Sequence, residues 1–486
     1  MERFIDFLNN NILWSQPMIY ICLGVGLLFS IITRFLQVRH FKDMIKLMFQ
    51  GKSSDAGVSS FQALSIALSG RVGTGNIAGT ATAIGFGGPG AVFWMWAIAF
   101  IGASTAFIES TLAQIYKEKH EGQYRGGPAF YIEKGTGWRW YGVLFALAAV
   151  LAMAILMPGV QSNSIALGIE NAFGMNKSIT GLIIIALLGI IIFGGVKRIA
   201  NVAQYVVPFM AIGYVAVSLI IVAINITELP AVFALIFKSA FAADSVFGGI
   251  VGMAVQWGVK RGIYSNEAGQ GTGAHPAAAA EVSHPAKQGL VQAFSVYIDT
   301  LLVCSATAFM ILFTGMYNTQ APDKTFLYDN LKGVEPGPGF TQAAVEQVIP
   351  GFGAGFVAVS LFFFAFTTIM AYYYIAETNI AYLIRGRENK WAIPLLKVVI
   401  LAATFYGTIK EAALAWKLGD TGLGIMVWLN LIAILILAKP ALKALKDYEQ
   451  QKKQGLDPVF NSIKVGIKNA DYWEKDYKEP DKEQVS

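Results

Sequence analysis

The residues of this chain best suited to holding a ligand stand where an apolar helix should not tolerate them. Within an otherwise apolar run from Phe61 to Ile84 lies Ser69-Gly70-Arg71-Val72-Gly73-Thr74-Gly75-Asn76, which sets three glycines, a guanidinium and an amide among eight residues. Orphaned peptide groups and unpaired charge cost several kcal/mol in hydrocarbon, so the helix is expected to break there. Irregular backbone survives at membrane depth only where it is buried in protein or lines a polar cavity, and its bare N–H and C=O groups then hold ions and zwitterions. Thr74, Gly75 and Asn76, at the start of the second half-helix, offer amides and polar side chains to a carboxylate; the competing use is a glycine hinge with no ligand. GTGNIAG has neither the spacing of a dinucleotide loop nor a strand–helix unit around it.

A second run breaks in the same manner. Val259-Lys260-Arg261-Gly262-Ile263-Tyr264-Ser265-Asn266-Glu267-Ala268-Gly269 again puts charge and glycine at membrane depth. Laid over the first break, it matches Arg71, Asn76, Ala78 and Gly79 with Arg261, Asn266, Ala268 and Gly269 at identical spacing. Tyr264, Ser265 and Asn266 would present carbonyls and an amide to an ammonium group, with Trp257 or Tyr264 closing the pocket; plain packing accounts for either aromatic equally well. Gln161 follows Met157-Pro158-Gly159 and leads the polar turn Ser162-Asn163-Ser164. That turn suits a ligand contact beside a proline-glycine break, or helix–helix hydrogen bonding. Thr367 and Thr368 form the one hydroxyl pair in the apolar stretch SLFFFAFTTIMAYYY, where threonines either bind an ion or bond back to carbonyls one turn earlier.

Arg71, Glu109, Arg261, Glu267, Asp299 and Glu377 are too costly at membrane depth to stay unpaired, so pairs that close or lock one side are expected. Residue count puts Arg71 and Glu109 in the same half of the membrane and makes them the first pair to expect. Asp299, midway along its run, stands apart as an ion ligand or proton carrier. No apolar run holds a histidine or a nucleophile beside a base, so no catalytic residue and no cofactor are expected.

Such residues need a membrane-embedded frame, and composition supplies it. The chain has 486 residues, 55% hydrophobic and 14% charged, with 50 glycines and a mean hydropathy of +0.53: an all-α polytopic membrane protein. The net charge of +6 is spread over short loops, which argues against nucleic acid as a partner and for the lipid bilayer. Cys22 and Cys304 lie in apolar runs and read as core. Apolar runs at 17–35, 61–84, 91–116, 139–172, 178–195, 200–226, 246–273, 287–316, 352–384, 391–409 and 421–438 predict eleven transmembrane helices. The stretch 230–241 is too short to cross and is expected along the surface.

Loop charge orients the spans. Arg34, Arg39, Lys42, Lys46 and Lys52, then Lys117, Lys119 and Arg125, then Arg385, Arg387 and Lys390 fall on one side, against sparse lysines on the other. The expectation is a multi-pass plasma-membrane protein with the N-terminus outside and the tail, 439–486, inside as a solvated helix and disordered end rather than a docking segment. After a first span and loop in 1–60, the two breaks open blocks of five spans, 61–226 and 227–438. Five is odd, so the second block runs inverted, the 5+5 inverted-repeat plan of secondary transporters. A channel would need a continuous polar lining, and an enzyme a nucleophile or metal cluster; the runs offer neither.

Longer blocks carry a resemblance. GRVGTGNIAGTATAIGFGGPGAVFWMW, AFIESTLA, RGGPAFYIEKG, KRGIYSNEAGQGTGAHPAAA and FSVYIDTLL resemble the signature blocks of the alanine/glycine:cation symporter family, over about residues 17–440. These are sodium-coupled amino-acid carriers with a leucine-transporter-like fold. The resemblance implies uptake of a small neutral amino acid such as alanine or glycine, with glutamine in some members, driven by sodium. It implies Gln161 as a substrate contact, and a sodium site made by the Ser69, Val72 and Phe364 carbonyls with the Thr367 and Thr368 hydroxyls. A proton-coupled or other-solute carrier of the same fold is the alternative.

Overall fold

The computed structural model describes residues 2–51, 53–244, 246–385 and 390–477. Lys52, Arg387 and the tail end 478–486 lie outside the described residues.

Helices make up the frame, with two short β-hairpins between them. Helix α1 (Glu2–Leu13) bends by 42° into α2 (Gln16–Ile32). The chain then passes through α3 (Ser60–Arg71), α4 (Thr80–Gly87), α5 (Gly90–Ile115), α6 (Arg139–Phe173), α7 (Lys177–Ile192) and α8 (Gly195–Ile224). After the linking helix Leu229–Ala240 come α9 (Val251–Asn266), α10 (Ala274–Ala279), α11 (Pro285–Thr314), α12 (Gly353–Leu383), α13 (Ala392–Ile409) and α14 (Ala412–Lys453). Among the described residues seven helices, α5, α6, α8 and α11 to α14, are long and apolar enough to cross a membrane alone, and the bent α1–α2 pair makes an eighth. Every expected apolar run falls on helix. Those at 61–84 and 246–273 fall on the broken pairs α3/α4 and α9/α10.

Burial separates an inner group from an outer one. The apolar stretches of α8 and α13 are 28% buried, against 67% in α5 and α12 and 72% in α11. Phe209, Ile212, Leu219, Leu395 and Val398 on the outer pair face away from the protein, an apolar surface that water would not favour. The inner helices pack around the broken pairs, with α5 running along both α9 and α11.

Local chemistry explains each break. Helix α3 starts from a capping box, in which the Ser59 hydroxyl accepts from Gln62 N–H and the Gln62 amide oxygen from Ser59 N–H. It ends when Val72 leaves helical geometry at φ −75°, ψ 85°, and a π-helical turn, Gly75–Gly79, leads into α4. Helix α9 ends at Glu267, which is left-handed at φ 57°, followed by Gly269 and Gly271 at φ 86° and 85°. The second break is therefore Glu267–Gly273, later than the Val259–Gly269 expected from sequence. Gly262 is helical instead: a Cβ there would lie 2.5 Å from Ile98 Cγ2, so this glycine lets α9 close onto α5.

The far ends of the two broken pairs meet. Val58 pairs in parallel with Ala280, its N–H donating to Ala279 O at 3.0 Å and its carbonyl accepting from Glu281 N–H at 2.9 Å, which joins the start of α3 to the end of α10. Helix α14 starts beside the N-terminus, where Asn9 donates to Lys417 O and Trp14 to Asp420 O, both at 2.9 Å, and ends among the tail residues. These mark an N-terminal face and a tail face, with cavities of about 1270 Å³ and about 1030 Å³ respectively.

Candidate functional site

The first break exposes peptide groups and side chains cover them. Gly73 N–H donates to Asn76 Oδ1 at 2.8 Å, and Thr74 N–H to Gln161 Oε1 at 3.0 Å. Gln161 in turn donates Nε2 to the Tyr372 hydroxyl at 3.2 Å. The Thr74 hydroxyl is buried with no protein partner. Gly73 is glycine because of a close approach: a Cβ there would lie 2.3 Å from Thr368 Oγ1 and 3.1 Å from Gln161 Oε1.

The second break arrives against the first. A Cβ on Gly75 would lie 3.0 Å from Ser265 Cα and 3.2 Å from the Tyr264 ring, so the start of the second half of one broken pair rests on the last turn of α9. The free carbonyls of that turn are those a helix C-terminus leaves unpaired. Asp299 ties the two sides together: its Oδ1 accepts from Asn76 Nδ2 at 2.7 Å and from Ser265 Oγ at 3.0 Å. Asn266 caps its own helix end, accepting from Ala268 N–H at 3.0 Å and donating to Thr300 Oγ1 at 3.3 Å. The structure thus brings together Thr74, Gly75, Asn76, Gln161, Tyr264, Ser265 and Asn266. Trp257 is placed differently, two turns earlier on α9, where it stacks on Phe86 at 4.8 Å and lines the cavity of the N-terminal face.

Also against Gly73, Thr368 Oγ1 bridges two helices, donating to Ser69 O at 2.9 Å and Phe364 O at 3.0 Å. Thr367 Oγ1 bonds back to Phe363 O and Phe364 O, both at 3.0 Å. Thr367 follows the one-turn back-bonding alternative; Thr368 also crosses to the break. Ser69 O, Phe364 O and the two hydroxyls thus form a cluster of hard oxygen atoms.

The buried charges are arranged otherwise than expected. Arg71 and Glu109 form no ion pair: Arg71 donates to Gln292 O at 3.1 Å and to Ser295 Oγ, while Glu109 accepts from Gly271 N–H at 3.1 Å and Asn430 Nδ2 at 2.8 Å. Glu267 accepts from Thr272 Oγ1 at 2.8 Å. Arg261 does pair, with Asp420 at 2.8 Å, and Lys260 reaches the same carboxylate at 2.6 Å. The rings of Trp416, Trp257 and Tyr264 cover the Arg261 guanidinium. Glu377 pairs with Arg125 at 2.9 Å. Asp420 escaped sequence reading because the last apolar run was begun at residue 421, whereas α14 begins at Ala412. His275 sits in α10 with its Nε2 2.9 Å from Asn379 Nδ2.

The tail is also a correction. Its described part packs back on the tail face rather than standing in solvent. Phe460 N–H donates to Ser283 O at 2.9 Å, Lys287 pairs with Asp457 at 2.6 Å and Lys134 with Asp471 at 2.8 Å. Buried Trp473 donates Nε1 to Gln114 O at 2.8 Å. Lys117 donates to Ala280 O at 3.0 Å and lies 4.3, 4.4 and 5.4 Å from the ring centres of Tyr124, Tyr472 and Trp473. Burial pushes the Lys117 ammonium down to about 7, against the pull of Glu281. A signal for docking was present: Ala441, Ala444, Leu445 and Tyr448, all buried, hold the i, i+3, i+4, i+7 spacing of an apolar helix face.

The model of the sodium:alanine symporter family matches residues 1–462. YrbD of Bacillus subtilis (strain 168) is 76% identical, over 98% of each chain. The sodium/proton-dependent alanine carrier protein of Bacillus sp. (strain PS3) is 62% identical over 90% of this chain and 98% of its own. Among solved structures, a mutant manganese transporter of Eremococcus coleocola superposes with a TM-score of 0.55 at 13% identity, covering 88% of this chain and 92% of that one. The last is a likeness of fold alone.

Proposed function

The chain belongs to the sodium:alanine symporter family, and from that premise we propose that it imports a small neutral amino acid, alanine or glycine with glutamine as a further substrate, together with sodium, by alternating access. It is a transporter and not an enzyme. One observation carries the reading above others: Gly75, just after the first break, rests on Ser265 and Tyr264 at the end of α9, just before the second, so the peptide groups of both breaks border one space. The substrate carboxylate is received by the Thr74–Asn76 amides once Gln161 gives up its bond to Thr74, and the ammonium by the carbonyl end of α9. Sodium takes the oxygens of Ser69, Val72, Phe364, Thr367 and Thr368. Lys260, Arg261 and Asp420 close the N-terminal face, while Arg71, Glu109 and Glu267 serve the tail face.

The corresponding fold is leucine-transporter-like: an N-terminal span within 1–60, inverted five-span repeats in 61–226 and 227–438, and eleven crossings in all, with the N-terminus outside and the tail in the cytoplasm. The membrane potential supplies about 2.3 kcal/mol per charge per 100 mV, enough to concentrate substrate roughly fifty-fold per coupled charge. The PS3 relative is named for sodium/proton dependence, which makes proton coupling the second reading. Uptake of labelled alanine into proteoliposomes separates them. An inward sodium gradient should drive accumulation at equal pH and a potassium gradient should not; equal uptake in both removes sodium coupling.

A further inference from the structure

We propose that the tail segment 457–477 is a latch on the tail face, one that must lift before that face opens and so sets the pace of substrate release there; the proposal rests on the alternating-access reading above and adds a regulator to it. The segment is seated by burial as well as by charge. Phe460, Ile467, Ala470, Tyr472 and Trp473 are all buried, and the Phe460 ring meets those of Trp473 and His284 at 5.1 and 5.3 Å between centres. Burying such side chains offsets the chain entropy that an unanchored end keeps. A solvated end would gain nothing from ordering.

Its anchors lie on elements far apart in the sequence. On the link into α11, Ser283 donates Oγ to Pro458 O and accepts Phe460 N–H on its carbonyl, both at 2.9 Å, and Lys287 pairs with Asp457. On the helix Pro128–Thr136, Lys134 pairs with Asp471, and its carbonyl accepts from Asn469 Nδ2 at 2.9 Å. Trp473 Nε1 holds Gln114 O at the end of α5. The side chains of Asp457 and Asp471 keep 61% and 44% of their surface exposed, so water and salt screen both ion pairs. The grip therefore comes from the aromatic cluster, while the charges set its register. Such a contact seats firmly and still lets go.

What the latch covers decides its role. Tyr472 donates its hydroxyl to Glu281 Oε1 at 3.3 Å, and the other oxygen of that carboxylate accepts from Ser54 Oγ at 2.6 Å and from the Tyr124 hydroxyl at 2.7 Å. Glu281 is also the residue whose N–H helps stitch the start of α3 to the end of α10. Beside it Lys117 donates to Ala280 O, and two of the three rings around that ammonium, Tyr472 and Trp473, belong to the latch. Residues of the tail thus hold the tail-side halves of both broken pairs together from outside. The tail-face cavity lies between them, lined by Ser60 and Ser283 from the body and by Leu456, Tyr472 and Asp476 from the tail, so opening this face widens a space that the latch already walls. The match to the family model ends at residue 462, before the anchors at 469–473, which sets the latch apart from the transport body.

The test compares the full chain with Trp473→Ala and with a form ending at Leu456, which keeps all of α14. Two readouts are taken: the maximal rate of sodium-driven alanine uptake into proteoliposomes, and the rate at which a charged maleimide labels Ser60→Cys in solubilised protein. Cys22 and Cys304 are buried and give a low background. Without the latch, labelling should quicken roughly tenfold, because the open fraction grows as docking contacts are lost, and the maximal uptake rate should rise with it. Trp473→Ala should move both readouts in the same direction by less, and Trp473→Phe, which returns a ring, should restore part of the full chain's values. Uptake that fails to rise, or labelling that fails to quicken, in both variants overturns the latch and leaves the proposed function standing; equal uptake in sodium and potassium by the unmodified protein overturns that function instead. Should the shortened chain fail to fold, Trp473→Ala decides alone, and labelling no faster than in the full chain overturns the latch.

Discussion

The two breaks share a spacing and divide the work. The first skips three residues, Val72–Thr74, and its amides are covered by Asn76 and Gln161; the second skips seven, Glu267–Gly273, and its loop gathers Glu109, Glu267 and Thr272. Arg71 and Arg261, equivalent by sequence overlay, also part company. Arg71 turns to α11, while Arg261 turns to Asp420 beside the cavity of the N-terminal face. Equal spacing thus sets equal residues in opposite surroundings: the short break folds its peptide groups under Asn76 and Gln161, and the long one organises charge.

The largest effect should come from the charged side of that division. Asp420→Asn strands both Lys260 and Arg261 and should destabilise the protein by about 3–5 kcal/mol, whereas Glu267→Gln, which disturbs one hydroxyl bond, should cost about 1–2 kcal/mol. Thermal unfolding of the solubilised protein compares them; equal losses would break the contrast. At the short break, Gly73→Ala forces a methyl onto Thr368 and Gln161, a strain of about 1–3 kcal/mol, and should show as a loss of alanine and sodium affinity, with folding retained. Affinities that stay unchanged would mean the break reads no ligand.

Smaller effects sharpen the picture. Thr368→Val should raise the sodium concentration for half-maximal uptake by roughly tenfold, the loss of about one hydrogen-bonding group, and Thr367→Val by less, because only Thr368 reaches Ser69. The smallest concerns the tail. Docked, Lys117 is held at about 7, against its ordinary 10.5 when the tail lifts. Across that window the undocked form binds more protons, so docking tightens as pH rises from 7 and levels off below it. Proteolytic clipping near Trp473 should be slower at pH 9 than at pH 7.

Much of the frame was legible because hydropathy reports burial in bulk. Every apolar run fell on helix, and GRVGTGN announced its break through glycines that no continuous span would need. The second break was misplaced because Gly262 and the charges around it look the same in sequence as a break, though the glycine serves packing against Ile98. Asp420 and the docked tail were missed for one reason: α14 runs for 42 residues, about 63 Å at 1.5 Å per residue, far beyond the apolar stretch that betrayed it. Partners brought together across 159 positions, as Arg261 and Asp420 are, leave no local trace.

The seam that joins Val58 to Ala279–Glu281 is stitched by two backbone hydrogen bonds, which ordinary substitutions leave in place. Each is worth about 1 kcal/mol net, a grip comparable to thermal agitation, able to fasten the start of α3 to the end of α10 yet easily unpicked. Only a residue without an N–H would cut it outright: proline at position 58 removes one stitch, and proline at 281 the other.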